Sequence, residues 1–437
     1  MKKIIFVLFL FIIFALLWSF GPQQKTPHTE KYEEPPTGPE IDQWVRTYGG
    51  WNDDTGFWVI EQKASEGYVL GYATFTFDAG GTEFGDIWIF DLTSNGKIEW
   101  QRTYGGPDEE LLYGGIKETK DGGYIVAGFT RSFGPGQHDF WILKLTSNGN
   151  IEWQYAYGGS DMDFPYSVQI TSDGGYIVAG TTYSFGAGDG DFWILKLTSL
   201  GKIEWQKTYG GPLDERAKSI LLTEDGGYIV SGYTDSFGSG ESDYWILKLT
   251  SSGDIEWQRT YGGRLSEYPS RTFDRTSDGG YIVAGWSGSF SDEGSRIWIL
   301  KLTSSGDIRW QRTYYGSLAD WGGQIQETSD GGYIVAALTE SFGAGFYSGW
   351  ILKLKSNGDI EWQRTYGGNN MDNTAYIQEI SDGGYIVGGS TASFGAGGWD
   401  LWMLKLSPEG KIGKSCEIIG SSNAKVLKTS VIPMDTD

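Results

Sequence analysis

Residues 121–159 read DGGYIVAGFTRSFGPGQHDFWILKLTSNGNIEWQYAYGG, and the fold follows from this stretch. The runs Tyr124–Thr130, Phe140–Thr146 and Ile151–Tyr157 are β-branched and aromatic and lack a helical apolar period, so each reads as a strand. Asp121-Gly122-Gly123 and Ser147-Asn148-Gly149 tolerate the positive φ of tight hairpins, and the loop SFGPGQHD makes the remaining connection. With the preceding run Gly115–Thr119, the stretch predicts four short antiparallel strands.

The same unit recurs along the chain. The Trp of an IEWQRTYGG-like phrase stands at Trp44, Trp100, Trp153, Trp205, Trp257, Trp310 and Trp362, in steps of 56, 53, 52, 52, 53 and 52. The Tyr of DGGYIVAG and the Trp of FWILKL also appear seven times each. Four-stranded units at this period predict an all-β, seven-bladed β-propeller over residues 41–412, with a solenoid as the weaker alternative because neither end looks like a cap. Residues 41–48 (IDQWVRTY) match the outer strand and keep its Trp, whereas KIGKSC at 411–416 lacks it. The N-terminal strand is therefore expected to pair with Leu401–Leu406 and close the ring, leaving 413–437 as a loosely held tail.

The unit resembles the tryptophan-docking propellers, whose outer-strand Trp packs into the neighbouring blade. It is more closely similar to a family of prokaryotic secreted repeat proteins carrying DGGYIVAG…SFGAG…DFWILKL…GxIEWQRTYGG. The resemblance covers residues 41–412, implies the fold, and implies no activity. Quinone-dependent dehydrogenases on tryptophan-docking propellers prefer eight units and adjacent cysteines, against seven units and the single Cys416 here. The sialidase-type Asp box is also missing: Ser147-Asn148-Gly149-Asn150-Ile151-Glu152-Trp153 has one residue too many before Trp and no Asp.

Composition narrows function further. The 437 residues carry 56 Asp+Glu against 34 Lys+Arg, a net charge of −22 that opposes nucleic acid as a partner. One Cys excludes disulfides within the chain and multi-cysteine metal sites. His28 lies in a Pro-rich leader and His138 in a loop, each read as a solvated surface residue, so no His pair is available for a metal or a Ser–His relay.

Lys2 and Lys3 precede an apolar run from Ile4 to Trp18, so residues 1–21 read as a signal peptide or N-terminal membrane anchor. Pro22 after Ser19-Phe20-Gly21 opposes cleavage and favours a retained anchor, with the bulk of the chain outside the cell. Residues 22–40 hold five prolines and read as an extended linker. A membrane is expected to be met only through this N-terminal segment.

Strand order places the DGG and SNG turns on one face and the YGG-x-x-x-acid and SFGAG loops on the other. Copies differ on the second face, which is where binding is expected. Of 20 Trp, fourteen hold the two repeat positions and Trp18 lies in the export segment. Trp58 and Trp286 fall at strand positions and read as core. Trp51, Trp321 and Trp399 lie in loops of the variable face, in blades 1, 6 and 7, with Phe346 and Tyr347 in the same sector. These five are the candidate ligand-binding residues, suited to stacking on a sugar or the apolar side of a peptide; the structural alternative is that they cover the seam between first and last blades.

A second pattern is an acid four positions after each YGG or YYG phrase: Asp54, Glu110, Asp163, Glu215, Glu267, Asp320 and Asp372. Seven carboxylates at the channel rim make Ca²⁺ the one cofactor to consider. Capping of backbone N–H groups accounts better for an acid in every copy and is preferred. Third-strand Lys residues (Lys144, Lys196, Lys248, Lys301, Lys353, Lys405) facing fourth-strand Glu residues predict cross-strand ion pairs, with Arg309 breaking the pattern. The expected function is an extracellular, non-catalytic binding or adhesion module for glycan or protein, with no catalytic residue nominated. An extracellular carbohydrate-active hydrolase or lyase on the loop face, or a purely structural envelope component, are the alternatives.

Overall fold

The computed structural model describes residues 43–54, 59–76, 85–290, 294–413, 419–422, 424–428 and 434–435. The N-terminal segment 1–21, the linker 22–40, Trp58 and Cys416 lie outside these. Among the described residues no helix is long and apolar enough to cross a membrane.

Each repeat folds into a four-stranded antiparallel sheet, with neighbours in chain order from an inner to an outer strand. In blade 4 the strands are Glu215–Leu222, Tyr228–Thr234, Asp243–Leu249 and Ile255–Tyr261. The second and third are buried at every residue because neighbouring blades cover both faces, so these strands read as continuous apolar runs. Ile177, Phe192 and Ile194 of blade 3 pack against Ile220, Val230, Trp245 and Leu247 of blade 4. Burying each such side chain fully contributes about 1.5–3 kcal/mol. The Trp of FWILKL fills this layer: Trp245 lies 4.7 Å from Phe192, and Trp193 lies 4.7 Å from Phe140.

The outer-strand Trp docks as the resemblance implies. Trp100, Trp205 and Trp362 lie 6.1, 6.0 and 6.0 Å from Tyr124, Tyr228 and Tyr385 of the next blade. The Tyr of each YGG phrase adds a hydrogen bond to the next blade's turn, as in Tyr209 Oη to Gly253 O (2.5 Å) and Tyr261 Oη to Gly306 O (2.6 Å). Gly253 has φ +79°, and a Cβ there would come within 2.9 Å of the Trp205 ring. Turn conformation and docking therefore both demand glycine.

Ring closure follows the sequence expectation. Trp44–Tyr48 pairs antiparallel with Asp400–Leu406, from Trp44 opposite Lys405 to Tyr48 opposite Leu401, and becomes the outer strand of blade 7. The C-terminal segment departs from it. Ile419–Ser421 pairs with Ile360–Tyr366 of blade 6, Lys425–Lys428 with Ile308–Tyr315 of blade 5, and Met434–Asp435 with Ile255–Tyr261 of blade 4. The tail thus runs back along the ring and adds a fifth strand to three blades, because their outer edges offer unpaired backbone groups.

The inner strands are longer than the sequence pattern suggests. In blade 2 the inner strand is Glu110–Glu118, beginning at the acid itself and absorbing an irregularity between Leu112 and Gly115. On the turn face, the third-strand Lys residues find a second partner. Lys196 Nζ lies 2.8 Å from Asp173 of the DGG turn and 3.1 Å from Glu204; Lys248 lies 2.7 Å from Asp225 and 3.0 Å from Glu256. Arg309, replacing Glu in blade 5, turns to Asp278 of the same turn. Burial alone would raise the Asp173 carboxyl, but Lys196, Thr171 and the Gly175 N–H hold it at about 2.

Candidate functional site

The loop face is tied together across blades. Gly190 and Ser242, closing SFGAG-type loops, bridge to Asp214 and Ser266, which precede the next inner strands. Both loop types therefore share one face, as strand order requires.

The five candidate aromatics divide into two groups. Trp51 follows the closing strand and Trp399 precedes Asp400–Leu406, so both stand where blade 7 meets blade 1. The Asp54 N–H donates to Trp399 O at 2.8 Å and the Trp399 N–H to Asp53 Oδ1 at 3.0 Å. These bonds, one accepted by the main chain of Trp399 and one by the Asp53 carboxylate, close the seam, and Trp51 is 68% exposed. In blade 6 the Trp321 and Tyr347 rings pack at 5.9 Å, both half-buried, beside Phe346, which is 78% exposed. The Asp372 N–H donates to Tyr347 O at 3.1 Å, anchoring this loop to blade 7. Trp286 is half-buried against Tyr268 at 4.8 Å. His138 is half-buried between Phe129 and Phe164, 5.0 Å from each ring, where a solvated residue was expected.

The seven repeat acids are fully buried, each showing no exposed surface. They point between strands and bond locally. Asp54, Glu110, Asp163, Glu215, Glu267, Asp320 and Asp372 accept the N–H of Gly50, Gly106, Gly159, Gly211, Gly263, Gly316 and Gly368, four residues earlier. Most also accept a hydroxyl from the end of the second strand, as from Thr130 to Glu110 (2.6 Å) and Ser287 to Glu267 (2.7 Å). Among the described residues, no group of three or more His, Cys, Asp or Glu side chains is placed to hold a metal ion. This geometry is the capping arrangement, and it spends on backbone donors the oxygens that Ca²⁺ would need.

A second buried acid accompanies it in five blades. Asp86, Asp139, Asp191, Asp243 and Asp400 open the third strands. Asp191 Oδ2 accepts the Ala187 N–H at 2.7 Å, and Asp243 Oδ2 the Ser239 N–H at 2.7 Å, so this acid organises the SFGAG loop. Its other oxygen lies against the first Gly of the next YGG phrase, facing the capping acid. Burial, with the Glu267 charge behind it, pushes the Asp243 carboxyl up to about 6 against the backbone bonds that lower it.

What the sequence did not nominate is the content of the channel. Inner strands of blades 2 to 5 bring Tyr113, Tyr166, Lys218 and Arg271 together on the ring axis. The available signal is the repeat position three residues after the capping acid, where copies carry Tyr113, Tyr166, Lys218, Ser270, Gly323 and Ala375, with Arg271 one residue further on in blade 5. Variation there, between residues that repeat, marks a surface released from blade packing.

No protein-family model matches the chain, and no curated protein matches it. Similar solved structures include BBS1N in complex with ARL6DN, at 12% identity and TM-score 0.48, covering 83% of this chain and 96% of that one. The Neurospora crassa Pan2 WD40 domain is similar at 10% identity and TM-score 0.47, covering 84% and 97%. The endo-arabinase from Bacteroides thetaiotaomicron follows at 14% identity and TM-score 0.34, covering 57% and 93%. Its own strand order and pairing make this chain a seven-bladed β-propeller.

Proposed function

We propose that the protein is a non-catalytic binding module, exported and displayed outside the cell, whose loop-bearing face takes a glycan or protein partner. The observation that carries this reading is the exposure of Trp51 and Phe346, large aromatic rings on loops whose neighbouring main chain is hydrogen-bonded across blade seams. Rings held on a fixed backbone lose little conformational entropy when a partner covers them. Half-buried Trp321, Tyr347 and Trp399 extend the apolar surface on the same face. Export rests on Lys2, Lys3 and the apolar run Ile4–Trp18.

The test is a titration of intrinsic tryptophan fluorescence with a panel of neutral oligosaccharides, on the wild type and on Trp51→Ala, Trp321→Ala and Trp399→Ala. A saturable signal lost in these variants supports a glycan site. Silence across the panel with all proteins folded removes the glycan, and a protein partner is then tested by whether Trp51→Ala and Phe346→Ala abolish binding to intact cells.

A further inference from the structure

The outer rim of the ring is guarded by charge in every blade but one. Two residues before the docking Tyr of the outer strand stands a basic residue in six copies: Arg46, Arg102, Lys207, Arg259, Arg312 and Arg364. These reach the next blade's turn, as where Arg102 Nε donates to Asn148 O at 3.1 Å and Lys207 Nζ to Asp254 Oδ1 at 2.7 Å. In blade 2 the position is Tyr155. The turn it meets carries Leu200, where the other copies hold Asn95, Asn148, Ser252, Ser305, Asn357 and Glu409. The Tyr155 ring lies on Gly201 of that turn, so that a Cβ there would come within 2.7 Å of it. Tyr155 is 45% exposed and Leu200 64% exposed. Trp153, 5.6 Å from the Tyr155 ring, continues the same face of the strand to exposed Ile151.

This apolar patch lies on an open sheet edge. Among the described residues, no strand pairs with the outer side of Ile151–Tyr157. The same edge in blades 4, 5 and 6 accepts an antiparallel strand from the tail. Arg364 to Tyr366 pairs with Ser421 to Ile419, and Arg312 to Tyr315 with Lys428 to Lys425. Under the tail Thr365 is buried, whereas its blade 2 counterpart Ala156 is half-buried. Strand addition is therefore a working contact of this rim. The other edges left open among the described residues, in blades 1, 3 and 7, keep Arg102, Lys207 and Arg46. Charge on an edge strand is how natural sheets prevent further pairing, and blade 2 alone lacks it.

We propose that the blade 2 edge pairs with the same edge of a second copy of this chain, joining two four-stranded blades into one continuous sheet. Antiparallel pairing of a strand with itself is a two-fold arrangement, so the surface has to be complementary to itself. Ile151–Tyr157 meets that condition. An axis at Trp153, Gln154 or Tyr155 sets Glu152 opposite Gln154, Ala156 or Gly158, so no like charges face each other. Glu152 is also paired within its own blade, 3.4 Å from Lys144 Nζ. The same operation on Ile98–Tyr104 forces Arg102 against Ile98, Trp100 or a second Arg102, and on Ile203–Tyr209 it does the same with Lys207. Because one edge alone is unguarded, association closes at two copies and does not grow into a fibre. The surface does not use the loop aromatics of the proposed partner site.

The experiment is sedimentation equilibrium of the full chain in density-matched detergent, which keeps the apolar run Ile4–Trp18 dispersed. A reversible monomer–dimer equilibrium is expected over about 1–200 μM, where small interfaces associate. Tyr155→Arg should weaken the dimer at least about tenfold, since it returns a charge to the edge. Leu200→Asn should weaken it about threefold or more through lost apolar burial. Both variants carry a residue that other copies hold at the same position, so the blades should fold as before. Trp51→Ala should dimerise as the wild type does. Raising salt from about 50 mM to about 500 mM should strengthen the dimer, because screening weakens repulsion between two chains of net charge −22. A monomer throughout this range overturns the proposal. So does assembly that grows beyond two copies, a dimer unchanged by Tyr155→Arg, or one that salt weakens. If Tyr155→Arg fails to fold, Leu200→Asn carries the test, and an unchanged dimer in it likewise overturns the proposal.

Discussion

Two blade junctions solve one problem in opposite ways. Between blades 3 and 4, Asp191 opens the third strand and Gly210 begins the YGG pair, with Glu215 capping the next inner strand. A Cβ on Gly210 would collide with Asp191 Oδ1 and come within 2.9 Å of Glu215 Oε2. Between blades 5 and 6 the third strand opens instead with Arg296, and the first Gly of the phrase becomes Tyr315. The Arg296 guanidinium lies 3.7 Å from the Tyr315 ring centroid. The difference teaches that the first Gly of YGG is set less by backbone conformation than by the carboxylate packed on it. Remove the Asp, and the largest aromatic of the phrase fits there.

The largest way to break this comparison is Gly210→Ala. Its methyl has to displace two buried carboxylates, and the unfolding free energy should fall by about 3 kcal/mol or more. Tyr315→Ala, which loses a partly exposed cation–π contact, should cost only about 1 kcal/mol. Urea unfolding of both variants checks the contrast, and equal losses would refute the packing account. Next comes Glu215→Gln. Its amide cannot accept both the Gly211 N–H and the Thr234 hydroxyl, so one buried donor is orphaned at a cost of about 1–3 kcal/mol.

The paired acids also predict a pH profile. Asp243 takes up its proton near pH 6 in the folded protein but at its ordinary 3.8 in the unfolded chain. Between these values the folded state holds a proton that the unfolded chain lacks. This contribution to stability is therefore fully present below about pH 4 and is lost as pH rises through about 6. The turn face runs the other way: Asp173, held at about 2, contributes above 3.8 and loses its contribution on acidification toward pH 2. Melting temperatures across pH 3–7 should then show Asp243→Asn flattening the fall between about pH 4 and 6, and Asp173→Asn flattening only the acid limb. The smallest effect is Trp51→Ala, whose exposed ring should change stability by no more than about 0.5 kcal/mol while removing the proposed partner.

Much of this was legible in the chain. Repeat spacing, hairpin chemistry and the second outer-strand match at Trp44 predicted seven blades and their closure, because each is read from a local motif that recurs, even where the closing strand pairs with the far end of the chain. The structural role of the seven acids was also legible, since a cap four residues from its glycine is local. The tail was not: Ile419–Ser421, Lys425–Lys428 and Met434–Asp435 carry no repeat motif, and their pairing depends on edges left open by distant strands. The second ring of buried acids was read only as part of the FWILKL phrase, because its partner lies in the next blade.

By itself, then, the sequence determined the blade, its repetition and the residues that bolt one blade to the next, since all of these recur at a fixed period. Only the tertiary structure decided what stands on the axis. Tyr113, Tyr166, Lys218 and Arg271 lie on four blades, about one repeat apart, and no local pattern relates them. They meet because closing a ring of sheets turns the same stretch of every inner strand toward a common centre.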